Sequence, residues 1–380
     1  MNDSYVNIDV NRIKTNVRNI ITKYNDYKYY IGVVKGNAYG HGFEIVKELV
    51  KSGINYLAVS TLKEALEVRS LVDTPILCLQ PIDINDLKIA ENNDITITIS
   101  SYKYYQELIK KKLKLKVHLK IDTGMNRLGI NKKEEIEEIY NELISNKNIK
   151  LEGIYTHLST IGIIDKKWDN QVNKFFNLTS NIDLSKLDIV HIYSSNSLVV
   201  HPKLGFCNGV RIGILMYGVG PRPINYEGLK GHLRKIKNNY LRKKYKLSRI
   251  LNDYDVGVET GFELVSRVIE IKDVDKNEYI GYGLKYKTNK KCKIAIVPIG
   301  YADGLSLKNS GRNVLINDRP YKIVGSVNMK MLTVLVDNKV DLNDEVVVIG
   351  ENIRYICNYT GVTPHNLLTM VPTSVPRIYK

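Results

Sequence analysis

The sequence predicts an α/β chain with an N-terminal (β/α)8 TIM barrel followed by a C-terminal all-β domain. Three observations carry this reading. Eight short apolar runs alternate with amphipathic segments over the first two-thirds of the chain; the alternation stops after Gly218; and from about residue 262 the chain reads as short strands with tight turns. Runs that are apolar on both faces belong in a parallel sheet covered on both sides. Eight strand–helix units in roughly 210 residues fit a closed barrel better than an open doubly wound sheet.

The eight strands fall at 29–35 (YYIGVVK), 55–60 (NYLAVS), 75–80 (PILCLQ), 95–100 (ITITIS), 116–122 (KVHLKID), 151–157 (LEGIYTH), 189–194 (IVHIYS) and 209–216 (GVRIGILM). Between them, segments such as 43–52, 62–72 and 133–145 place apolar residues at helical spacing. Residues 219–258 are polar, basic and read as irregular. Beyond them, RNVLI and RPYKIV flank Asn317-Asp318, a hairpin signature, and TVLVD (333–337) and DEVVVIG (344–350) supply further strands. The expected division is therefore 1–222 for the barrel, 223–261 for a basic linker or insertion, and 262–380 for the β domain.

Length and composition narrow the class. A chain of 380 residues, 43% hydrophobic and 25% charged, is a soluble globular protein with room for two cores. No apolar run is long enough to cross a bilayer, and MNDSYVNIDV has no basic-then-apolar leader. Cys78, Cys207, Cys292 and Cys357 are too scattered for a disulfide framework or a metal site. A reduced, cytoplasmic setting without metal is expected. The net charge of +16 raises the question of nucleic acid, but Lys, Ile, Asn and Tyr are abundant throughout. The one cluster, nine Lys or Arg without an acid between 230 and 249, reads as a solvated helix or loop ahead of an interaction patch. Neither nucleic acid nor membrane is expected as a partner.

Barrel enzymes gather their chemistry at the C-terminal strand ends. Lys35 closes the first strand, Lys120 and Asp122 the fifth, and His157 the sixth; Asn196 and Ser197 follow the seventh, and Arg211 lies in the eighth. One such lysine could be a snorkelling side chain. Charged groups at several ends of one barrel describe a site.

Lys35 stands in VVKGNAYGHG, Lys120 in HLKIDTGMNRLG, and the chain ends in VPRIY. With YTHLST (155–160), SNS (195–197), RIGILMYG (211–218), YGLKY (282–286), PIGYADG (298–304) and VG..NM (324–329), the sequence resembles the alanine racemases from the first strand to the C-terminus. That resemblance implies pyridoxal 5'-phosphate, a homodimer with shared active sites, and supply of D-alanine for peptidoglycan. Lys35 would carry the cofactor and serve one face of the substrate carbanion; Tyr282, from the second subunit, would serve the other. Arg127, Met329 and Tyr301 would bind substrate. Tyr39, Asn196, Ser197, Gly213 and Ile214 would hold the cofactor, with Arg211 on its ring nitrogen and His157 linking Arg211 towards Tyr282. Lys120 matches a lysine that many members carry as a carbamate.

The departures from the family pattern cluster at the entrance. Gly162, Leu307, Ser326 and Thr373 stand where the family has an Asp, two Arg and a Tyr, and Lys330 replaces an acid. This altered gate predicts a wider, less polar entrance, so serine or a broader set of amino acids is the alternative to alanine. A decarboxylase on the same architecture would place an acid, not Arg211, on the ring nitrogen. A non-enzymatic pyridoxal-phosphate-binding protein would lack residues 262–380.

Overall fold

The computed structural model describes residues 3–159, 166–220, 228–244 and 256–380. Two compact units emerge, one of residues 14–35 and 46–258, the other of residues 1–13, 36–45 and 259–380.

The first unit is a closed parallel barrel of β2 (Tyr29–Val33), β3 (Tyr56–Val59), β4 (Ile76–Cys78), β5 (Ile95–Ile99), β6 (Leu115–Lys120), β7 (Ile149–Tyr155), β8 (Ile189–Ser194) and β9 (Gly209–Ile212). β9 returns to β2, pairing Gly209 with Tyr29. All eight sequence-read strands are present. Val46–Lys51, Leu62–Arg69 and Lys133–Leu143 form helices as their periodicity requires. Thr61 caps the second of these in a capping box with Glu64.

The second unit is built on a nine-stranded sheet in the order β11-β14-β17-β16-β15-β18-β10-β1-β19. Its members are β1 (Tyr5–Ile8), β10 (Phe262–Arg267), β11 (Glu270–Val274), β14 (Cys292–Val297), β15 (Asn313–Ile316), β16 (Arg319–Val324), β17 (Leu332–Val336), β18 (Glu345–Ile349) and β19 (Arg377–Tyr379); β12 (Tyr279–Ile280) and β13 (Tyr286–Lys287) form a separate small hairpin. Asn317 and Asp318, at φ 49° and 60°, turn β15 into β16 with the left-handed pair that a two-residue hairpin loop demands.

The C-terminal unit is strand-rich as expected and also carries two helices, Ile353–Thr360 and Pro364–Thr369. Two expectations need correction. The N-terminal strand β1 pairs antiparallel with β10 and parallel with β19, so it belongs to the strand-rich unit rather than to the barrel. Within the stretch read as irregular, Gly228–Lys244 is a helix. Its apolar positions Leu229, Leu233, Ile236 and Tyr240 recur at 4-3-4 spacing, a signal diluted by the basic residues around them.

Candidate active site

Lys35 follows β2 by one residue and is half-buried. Burial, and then the positive charge of Arg127, lower its amine below the ordinary lysine range. Immediately after it the backbone makes a left-handed turn, with Gly36, Asn37, Ala38 and Tyr39 at φ 63°, 53°, 51° and 53°. Such a turn is costly for L-residues, so something must hold it. Part of the answer lies at the other end of the sequence. Arg377 of VPRIY donates from Nε to the Gly40 carbonyl at 2.9 Å, and Tyr379 Oη donates to the His41 carbonyl at 3.0 Å. His41, fully buried, braces the loop from inside through Nδ1, 3.1 Å from the Ala38 and Tyr39 carbonyls. A Cβ on Gly40 would lie 2.3 Å from the Leu368 carbonyl oxygen, which explains the glycine. Tyr39 is buried in this same unit, 5.6 Å from the His365 ring.

The barrel carries a group of cationic side chains. Asp122, just past β6, accepts from the amides of Gly124, Met125 and Asn126, each at 3.0 Å, and so folds the TGMNRLG loop that presents Arg127. Gly129 closes that loop at φ 125°, where a Cβ would meet the Asp122 nitrogen at 2.7 Å. Lys120 is buried, its Nζ 5.4 Å from the Tyr155 ring centre. Burial first, then Arg211 and Arg127, bring its amine down to about 8. Arg211, 4% exposed, lies over the same ring at 5.2 Å.

The guanidinium of Arg211 is held by the barrel itself. Nη1 reaches His191 Nδ1 at 2.7 Å and the His191 carbonyl at 2.9 Å; Nη2 reaches the carbonyls of Thr156 at 2.8 Å and Ile192 at 3.1 Å, with His157 Nδ1 at 3.3 Å. The two Nη nitrogens thus meet five acceptors, and among the described residues none accepts from Nε–H. His157 is driven down to about 3 by burial and then by Arg211, Arg127, Lys120 and Lys35, so it is neutral at pH 7.

Around the end of β8, Ser197 Oγ donates to the Ser194 carbonyl at 3.1 Å and accepts from the Ser194 amide at 2.7 Å, at the start of the helix Ser195–Val200, which also holds Asn196. The Gly213 amide donates to Ser195 Oγ at 2.8 Å, and Ile214 beside it is buried. Ser195 had no role in the sequence reading; its position one residue from Asn196 was the available clue.

On the strand-rich unit, Tyr282 sits in a short turn, Tyr282–Leu284, and is 78% exposed. Ser326 Oγ donates to its carbonyl at 3.2 Å. The PIGYADG and VG..NM segments are laced together: the amides of Tyr301 and Ala302 donate to the carbonyls of Asn328 and Met329, both at 3.0 Å. Tyr301 and Met329 are exposed. Lys330 forms an ion pair with Asp303, and Leu307 and Thr373 are exposed, whereas Gly162 lies outside the described residues.

A family model described as alanine racemase, N-terminal domain, matches residues 8–221, and one described as alanine racemase, C-terminal domain, matches residues 262–379. The chain belongs to the alanine racemase family. Alanine racemase of Methanococcus maripaludis is 32% identical over 392 residues, spanning 99% of this chain and 98% of that one. Alanine racemase 1 of Bacillus subtilis is 32% identical over 353 residues, spanning 92% and 84%. Among solved structures, the alanine racemase of Clostridium difficile 630 superposes with a TM-score of 0.87 at 30% identity, covering 100% of this chain and 96% of that one. The Bacillus anthracis alanine racemase, solved with bound L-Ala-P, superposes at 0.83 with 29% identity, covering 100% and 95%. As an alanine racemase family member, the protein is an isomerase. Residues 222–261, which include the basic helix, fall between the two family matches.

Proposed function

We propose that this enzyme racemises alanine with pyridoxal 5'-phosphate, that two copies of the chain share each active site, and that its product supplies D-alanine for peptidoglycan. The observation that carries this is the pairing, on one barrel, of the pKa-lowered Lys35 amine with an Arg211 whose Nε–H is left over. These groups fit the cofactor: the amine is chemically ready to hold an aldehyde carbon, and Nε–H can donate to a ring nitrogen. A guanidinium keeps its proton, so that nitrogen is hydrogen-bonded without being protonated. Asn196, Ser197, Tyr39 and the Ile214 amide would hold the phosphate, joined by the Gly213 amide if it turns from Ser195 Oγ. Bound there, the cofactor supplies an electron sink for the charge left at the substrate α-carbon.

The chain's own residues do the rest. Arg127 receives the substrate carboxylate, assisted by the Met329 amide and Tyr301. The Lys35 amine removes or returns the α-proton on one face. On the other, the phenol of Tyr282 from the second copy does the same, and its exposure on its own chain leaves it available for this. His157, neutral and next to Arg211, links that arginine towards the phenol. Lys120, lowered to about 8 by burial and then by Arg211 and Arg127, has far more of its amine neutral near pH 7.5 than an ordinary lysine. That favours carbamate formation, which would hold Arg127 in place.

Absorbance before and after borohydride treatment tests the cofactor assignment: a yellow band trapped on Lys35 supports it, and a colourless protein that racemises alanine refutes it. A broader substrate range is the second reading, favoured by the exposed apolar Leu307 and by Lys330 being tied to Asp303. Racemisation rates for alanine, serine, lysine and arginine decide this; an alanine preference of several orders of magnitude would exclude the open gate. None of the four cysteines is in a disulfide, which fits a cytoplasmic enzyme.

A further inference from the structure

Barrel interiors are ordinarily filled by apolar layers, but this one is polar beneath Arg211. His118, His191 and Tyr56 are all buried, and Glu152 is 9% exposed. Together they make one chain of contacts. From Arg211 Nη1 it is 2.7 Å to His191 Nδ1; from His191 Nε2, 2.8 Å to His118 Nδ1; from His118 Nε2, 3.2 Å to Glu152 Oε2. The Tyr56 hydroxyl closes the far end, 2.6 Å from the same carboxylate oxygen.

The ends of this chain dictate where its protons lie. Arginine can only donate. His191 Nδ1 therefore accepts, and its single proton sits on Nε2. That proton faces His118 Nδ1, which must accept in turn. His118 then carries its own proton on Nε2 and gives it to Glu152, a carboxylate that also accepts from Tyr56. A proton on His118 Nδ1 would set two N–H groups against each other between His118 and Arg211, which is costly among side chains this buried.

We propose that Glu152 is a positioning residue for Arg211. Its carboxylate locks both histidines in the Nε2–H form, so that His191 always presents an acceptor to Nη1 and the guanidinium keeps Nε–H as its outward donor. The proposal deepens the reading of Arg211 as the contact to the cofactor ring and rests on that reading.

Local structure is built around this lock. The register of β6 against β7 shifts between Val117 and His118, whose partners are Leu151 and Gly153, so Glu152 is the extra residue of a bulge. A bulge re-aims a side chain. At Gly153, a Cβ would lie 2.8 Å from His118 Cε1 and 2.9 Å from its Nδ1, so glycine makes room for the ring. Tyr155 stacks on His191, with centroids 4.7 Å apart at 17°, and fixes the second ring.

The test uses the full-length protein, purified with its cofactor and labelled with 15N-histidine, among whose seven histidines long-range nitrogen–proton correlations assign each tautomer. His118 and His191 are expected to be neutral, with the proton on Nε2. A proton on Nδ1 of either ring, or a charged His118, overturns the lock before any substitution is made. Glu152→Gln keeps an acceptor and should preserve both tautomers and cofactor retention. Glu152→Leu should mix the tautomers, weaken cofactor retention about tenfold and lower kcat about tenfold with KM unchanged, the effect of one lost hydrogen bond to a charged group. Unaltered tautomers or unaltered retention in Glu152→Leu overturn the proposal; if that variant does not fold, the wild-type tautomers and Glu152→Gln decide. A protein that binds no pyridoxal phosphate would sink the cofactor assignment while leaving the tautomers measurable, so the two failures are distinguishable.

Discussion

Arg211 on the barrel and Tyr282 on the strand-rich unit are both assigned to the same proton exchange, yet their surroundings are opposite. Arg211 is 4% exposed and each of its Nη hydrogens has an acceptor within its own unit. Tyr282 is 78% exposed, in a turn tied down through its backbone carbonyl by Ser326. The geometry of a buried, saturated group is set by the chain that carries it. An exposed phenol takes its final environment from whatever covers it. The contrast teaches that one half of the site is preorganised by folding, and that the other half is completed by assembly in the proposed dimer.

The sharpest way to break this comparison is Lys35→Ala, which removes the proposed cofactor carrier and the proposed base together. Racemisation, followed by polarimetry, should fall by at least about 10³-fold, and borohydride should trap no band. Next comes Tyr282→Phe. The loss should be about 10²–10³-fold, seen as selective failure of α-deuterium exchange from one enantiomer, while the melting temperature moves by no more than about 1 °C because the side chain is exposed. A large loss of stability would mean that Tyr282 is packed rather than presented.

Mixing those two inactive variants then sharpens the comparison directly. If sites are shared in a twofold dimer, half of the dimers are mixed and each has one intact site, so about a quarter of wild-type activity should return. No recovery after subunit exchange would place both bases on one chain. A smaller effect is expected from Asp122→Ala, which leaves three amides without their acceptor and loosens the Arg127 loop. It should cost about 1–3 kcal/mol in urea unfolding and raise KM for alanine about tenfold. The smallest effect concerns pH. Arg127 is the second cause, after burial, of the lowered Lys35 amine. Removing its charge in Arg127→Met should raise that amine, so the pH at which cofactor-free protein takes up pyridoxal phosphate rapidly shifts upward while staying below the ordinary lysine range. A shift downward would contradict the sign of the interaction.

Much of the fold could be read in advance. Runs such as YLAV and ILC are apolar through both faces, which a sheet covered on both sides accommodates, and Tyr56–Val59 is buried at every position. The helix Gly228–Lys244 was legible only as a helix or a loop because its apolar residues are few, though their spacing was helical. The strand Tyr5–Ile8 is too short to announce a partner, and its partners begin more than 250 residues later. Lys35, Lys120, Arg127, His157 and Arg211 were nameable because each sits in a distinctive segment or at a strand end. His118, Glu152 and Tyr56 looked like ordinary strand residues.

What the sequence determined by itself is local and periodic: strands, most helices, the hairpin at Asn317-Asp318, and the motifs that carry Lys35 and Tyr282. Tertiary structure alone decided the rest. It set the C-terminal Arg377 and Tyr379 against the left-handed loop after Lys35, and it aligned Arg211, His191, His118 and Glu152 into one hydrogen-bonded line. The reason is physical: periodicity follows from the backbone of one segment, whereas a hydrogen bond between residues 73 positions apart, such as that of His118 to His191, exists only once the barrel has closed and excluded water from between them.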